Sequence, residues 1–183
     1  YSLLNDCKEL GTLAFSHAAR SGFVAKILLE SIVNIGSMSK ERLTEFMNSF
    51  HTVAGFFEID KLLFLEGKIT QDALIEKYGH LRPGTYEIAT PAYWEDPKTY
   101  LIPKSNSMSK SKTKNFVFNS KELKGISNLL HELDTEVNES EFIQYVIKAT
   151  QERESVKFEF TKNLSKALDY IKEFSLDNKI SRE

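Results

Sequence analysis

Between Phe142 and Phe174 the chain sets Phe142, Val146, Ala149, Arg153, Val156, Phe160, Leu164, Ala167, Ile171 and Phe174 at steps of three and four residues. An α-helix completes a turn in about 3.6 residues, so these side chains line one face of one helix. Asn138, followed three residues later by Glu141, is a capping-box-like start, which places the helix from Asn138 to about Phe174. So long a helix with one apolar stripe must bury it against other helices. No stretch alternates apolar and polar residues at a period of two, and no glycine-rich phosphate loop occurs. The predicted class is therefore all-α: an irregular bundle of long helices.

The same spacing predicts the other elements. Leu10, Ala14, His17, Ser21, Val24, Leu28 and Ile32 place a first helix from about Leu3 to Ile35, with Gly11 as its weak point. From Phe23 onward apolar residues fall on almost every side, as in a helix surrounded by others. Gly36 ends it, and Ser39 caps a second helix from about Lys40 to Leu65, which Gly67 stops. Thr70 opens a short third helix, "QDALIEKY". After "FVF", a short extended stretch, Ser120 caps a helix to about Leu133. Ser181 looks like the cap of a further helix. Residues 104–115, rich in Ser and Lys, predict a mobile surface loop. The whole, 1–183, is expected to be a single helical domain cut from a larger multidomain protein.

Composition removes several functions. With 24 basic and 26 acidic residues interspersed, net charge -2, no field exists to hold a phosphate backbone, so nucleic acid is not an expected partner. The apolar runs are broken by Lys26 and Glu30 and fall short of a membrane span. The single cysteine, Cys7, excludes a disulfide framework and suits a reducing cytoplasm. No His-x-x-x-His or Glu-x-x-His pair occurs, so no metal site is expected.

Six residues are candidates for binding a substrate, and none for catalysis. Arg153 lies on the apolar stripe of the last helix, with Lys157 one turn on, and Asp60 sits among Phe57, Ile59, Leu62 and Leu63. A buried charge must be paired or face a wet cavity, so these residues either form an Arg–Asp bridge between helices or line a ligand site. His17 is expected to face the core or line a pocket. Its setting, Ser16-His17-Ala18-Ala19, resembles the Ser-His-Ala-Ala of swivelling phosphohistidine domains, but it lies inside a helix, where no free backbone donors surround a phosphate.

The last two candidates share the stretch "KYGHLRPGTYEIATPAYWED", Lys77 to Asp96, which holds the only tryptophan. Gly79 ends a helix and Pro83-Gly84 fixes a turn, so His80 and Arg82 ride on a rigid elbow anchored by Tyr86, Ile88, Tyr93 and Trp94, a structured Pro/Gly/aromatic loop. A guanidinium beside an imidazole holds a phosphate and takes a hydroxyl proton, or else pins the loop to Asp60 or Glu95.

"YGHLRPGTYEI" resembles a signature of phosphoenolpyruvate-utilising enzymes of the phosphoenolpyruvate synthase and rifampicin phosphotransferase kind, whose related form reads Tyr-Gly-His-Arg-x-Pro-Gly-Glu. "GTLAFSHAARSGFVAKILLESIV" and "HTVAGFFEID" before it, and "RESVKFEFTKNLSKALDYI" after it, are similar to the helical region of such proteins in the same order, from Glu9 to Glu183. The motif places Gly79, His80, Arg82, Pro83 and Gly84 at the family elbow, with Thr85 in place of an acidic residue. The resemblance implies an acceptor-binding or linker region of a phosphotransferase, a transferase of the kinase type, inactive alone. Its partners are then the ATP-grasp and phosphohistidine domains of the same parent chain and a small-molecule acceptor. ATP and Mg serve the full-length protein, and this region binds no cofactor. The alternative, from another class, is a helical protein–protein interaction module.

Overall fold

A computed structural model describes residues 2–85, 87–102 and 115–180. The expected loop at 104–115, apart from Asn115, the anchor Tyr86 and the cap Ser181 lie outside the described residues. The chain is all-α, as the three-and-four spacing predicts, and among the described residues there is no strand.

The first helical stretch is continuous but not uniform. A short α1 (Ser2–Asp6) passes through a π-helical turn (Cys7–Gly11) into α2 (Thr12–Asn34). The wider turn closes where the Thr12 N–H reaches back five residues to the Cys7 carbonyl. Gly11 is needed there, because a Cβ at this position would lie 2.3 Å from Cδ2 of Phe160. The weak point legible in the sequence is thus a place where a ring from another helix packs directly on the backbone. Gly36, at φ +75, follows the last turn of α2. Only one face of α2 is buried, at Gly22, Ala25, Leu29 and Ile32, while Phe23, Val24 and Ile27 are exposed. The expectation of a helix surrounded on almost every side is corrected accordingly.

The predicted second helix is two. α3 (Lys40–Met47) and α4 (Val53–Leu65) are separated at residues 48–52. Ser49 Oγ donates to the Phe46 carbonyl at 2.7 Å, and Gln151 Nε2 donates to the His51 carbonyl at 2.9 Å. Those side chains offer the backbone partners other than the next helical turn, which is how a local Ser bond competes with a helix. Apolar spacing carries across the break and conceals it in the sequence.

Then come α5 (Gln71–Tyr78), α6 (Pro97–Tyr100), α7 (Ser120–Glu132) and α8 (Glu139–Asp177). The predicted caps at Ser39 and Thr70 accept the Arg42 and Ala73 N–H groups, each at 3.2 Å. Asn138 and Glu141 exchange both capping bonds at 3.0 Å. At α7 the cap is Asn119 rather than Ser120, because Glu122 reaches back to the Asn119 N–H at 2.9 Å and completes a capping box.

The chain divides into two compact units. The first comprises Tyr1–Phe15, Val53–Lys110 and Val156–Glu183, and the second Ser16–Thr52 and Ser111–Ser155. In the first, Leu74, Tyr78 and Leu101 are buried with Phe57, Tyr93 and Phe158 around them. In the second, Ala25, Ile32, Phe46, Ile126, Phe142 and Val146 form the centre of a larger core. There Phe116 and Phe118, expected to be extended, close over Phe46 with ring centroids 5.4 and 5.0 Å away. Arg42 locks that unit by a two-pronged bond to Glu122, Nε to Oε1 at 2.8 Å and Nη2 to Oε2 at 3.0 Å.

Candidate functional site

The elbow belongs to the first unit and is built by backbone pairing. The Trp94 N–H donates to the Gly79 carbonyl at 2.9 Å, and the Tyr93 N–H to the Leu81 carbonyl at 2.8 Å. Residues 79–81 are therefore strapped to 93–94. Gly79 is in the right-handed helical region, so its role is closeness rather than a reversed turn. A Cβ there would meet the Ile75 carbonyl at 2.4 Å and Trp94 Cβ at 3.1 Å. The strap directs His80 and Arg82 at α8.

His80 is buried, at 3% exposure. Its Nε2 lies 3.1 Å from the Phe158 carbonyl, and its ring meets the Phe158 ring edge-on at 4.5 Å. A carbonyl only accepts, so Nε2 carries the proton. Burial, and then the nearby Lys162 ammonium, lower its pKa to about 4. At neutral pH it is a neutral donor with its proton already placed, which does not suit a base for a hydroxyl.

Arg82 is used up inside the fold. Its Nε donates to Ser165 Oγ at 3.0 Å, Nη1 to the Thr90 carbonyl at 2.7 Å, and Nη2 to the Ser165 carbonyl at 3.3 Å and to the Asp169 carboxylate. Glu95 Oε1 lies 3.9 Å from Nη1, an ion pair without a hydrogen bond. Glu95 in turn accepts from Lys172 and from the Ala92 N–H at 2.9 Å. Burial raises the Glu95 pKa, but Lys172, the Ala92 N–H and Arg82 together bring it below the usual carboxylate value. Two cations and two carboxylates balance, and the Arg82 side chain is 1% exposed. A buried guanidinium with four hydrogen bonds to protein atoms and a second carboxylate 3.9 Å away has no fork left open for a phosphate.

The other candidates are dispersed. Asp60 accepts from Lys77 Nζ and from the Tyr78 hydroxyl, each at 2.7 Å; burial, and then the bond to Asp60, push the Tyr78 pKa well above its usual range. Of the two anchors the sequence left open for Arg82, it is thus Glu95 that lies near, and within the first unit a buried Arg–Asp bridge joins Arg82 to Asp169. His17 is exposed on α2, which corrects its expected place in the core or a pocket: α2 buries Gly22, Ala25, Leu29 and Ile32, and His17 is not on that face. Lys157 is half-buried on α8, in the first unit. Arg153, in the second unit, borders a pocket of about 210 Å³ together with Gly22, Lys26, Leu29, Met47 and Thr150.

Sequence reasoning missed Ser165, Asp169 and Lys172. They continue a spacing of three and four from Thr161 on α8, a polar stripe beside the apolar one, and that was the available signal. No group of His, Cys, Asp or Glu able to hold a metal occurs among the described residues, and no helix there is long and apolar enough to cross a membrane. No protein-family model, no curated protein and no solved structure matches this chain.

Proposed function

We propose that this chain is the helical region of a phosphoenolpyruvate-synthase-like phosphotransferase, and that its elbow serves as a structural joint rather than as the acceptor site. The support for the family is the order of motifs around "YGHLRPGTYEI". The observation that carries the choice of role is Arg82, buried and hydrogen-bonded to Thr90, Ser165 and Asp169, with Glu95 3.9 Å away. A joint of this kind conserves the geometry of the catalytic modules it connects, and phosphoryl transfer depends chiefly on positioning. The nucleotide, Mg and the phosphorylated histidine belong to those modules, and the region alone neither hydrolyses ATP nor accepts its γ-phosphate.

The test is an assay of the protein that contains this chain for ATP-dependent phosphoryl transfer, with Arg82→Lys beside the wild type. The expected result is transfer that falls in the variant only in proportion to the folded fraction. A variant that stays folded but loses turnover overturns the joint reading, and a protein with no ATP-dependent transfer overturns the family. In that second case the alternative, an interaction module, gains. What favours it is the run of exposed apolar residues at the end of α8, Tyr170, Ile171, Phe174 and Leu176.

A further inference from the structure

The pocket beside Arg153 lies wholly in the second unit and has the parts of a small binding site. Gly22 on α2 lets the Arg153 stem lie against the helix, since a Cβ there would come 2.7 Å from Arg153 Cδ. The guanidinium is carried to the pocket rim, where it meets the Phe23 ring face at 5.3 Å and Glu154 at 3.8 Å. Among the described residues it donates no hydrogen bond. It is thus the opposite of Arg82: a planar fork held in place by its stem, near one carboxylate but hydrogen-bonded to none.

The pocket interior is of another character. Leu29, 4% exposed, and the half-buried Leu43 and Met47 supply an apolar lining. The Thr150 hydroxyl gives its proton to the Val146 carbonyl at 2.8 Å, so toward the pocket it can only accept. Lys26 and Glu30 at the rim stand 3.6 Å apart as an i,i+4 pair. The volume of about 210 Å³ exceeds the roughly 150 Å³ in which a dry apolar cavity takes up a benzene ring.

We infer that this pocket binds a small monocarboxylate with an apolar body, its carboxylate on the Arg153 fork and its ring or short chain on Leu29, Leu43 and Met47. Planar two-point pairing with a carboxylate is what a guanidinium offers and an ammonium does not. One negative charge fits better than two, because Glu30 borders the pocket and Glu154 stands 3.8 Å from the guanidinium, and both repel a second. The inference rests on the pocket alone and holds whether or not the phosphotransferase reading does.

Benzoate is the probe, titrated into the isotope-labelled chain and followed by amide and methyl shifts, with neutral benzamide as its isostere. The expected outcome is saturable shifts confined to Leu29, Leu43, Met47 and Thr150, with a Kd in the millimolar range usual for so small a ligand. Benzamide should bind about tenfold more weakly, and Arg153→Met, which keeps the stem against Gly22, should weaken benzoate about tenfold. Shifts elsewhere, equal affinity for benzamide, an unchanged Kd in Arg153→Met, or no saturable shift at about 50 mM would each overturn the inference. The benzoate and benzamide comparison uses the wild type, so it decides even where the variant does not fold.

Discussion

Replacing Arg82 with methionine should be among the most costly single changes in the first unit. The substitution keeps the unbranched stem and removes the fork, so four hydrogen bonds vanish and the buried Asp169 loses its cation. Breaking one side of a buried ion pair costs about 3 to 5 kcal/mol, because the remaining charge stays desolvated. Arg82→Lys keeps the charge. One ammonium can serve Asp169 and one carbonyl, which leaves Ser165 Oγ and the Thr90 carbonyl without their donor, at about 1 kcal/mol each and about 2 kcal/mol together. Arg82→Met with Asp169→Leu removes both charges, and the loss should shrink to about 1 to 2 kcal/mol, since an apolar pair is a fair substitute for a buried ion pair. Guanidinium unfolding followed by tryptophan fluorescence measures all three, because the single Trp94 is hydrogen-bonded by its backbone to the elbow itself. A methionine variant within about 1 kcal/mol of the wild type, or a double variant no more stable than Arg82→Met, would refute the claim that the fold depends on this pair.

Two further changes probe other parts of the fold. His80 is held neutral with a pKa of about 4, below its usual 6.5, so the unfolded chain binds the extra proton first and stability falls as pH drops from about 6.5 to about 4. The loss should approach about 3 kcal/mol at the acid end and be absent from that window in His80→Gln, as read from unfolding midpoints against pH; equal pH slopes in the two proteins would count against it. In the second unit, Gly125→Ala should lower the melting temperature even though alanine favours helices by about 1 kcal/mol, because its Cβ would come 2.2 Å from Cβ of Ser37, an overlap worth about 1 to 3 kcal/mol. A rise in melting temperature would show that the turn after α2 yields freely.

The sequence by itself determined the class and most of the helix boundaries. Both rest on local physics: the helical period lines apolar residues on one face, and Ser39, Thr70, Asn138 and the glycines at 36 and 67 satisfy or stop a backbone within a few residues of themselves. Periodicity could not reveal the break at 48–52, because Ser49 and Gln151 end the helix by hydrogen bonds while the apolar spacing runs on. The candidate residues were legible as types but not as roles. His80 and Arg82 were marked by their turn, and Arg153 by its place on an apolar stripe. Only the tertiary structure decided that Arg82 meets Ser165 and Asp169, 83 and 87 positions away, whereas Arg153 keeps its fork open at a pocket rim. The physical reason is that a charge's free energy depends on which groups lie within a few ångströms of it, and for two arginines of identical chemistry the fold alone sets those neighbours.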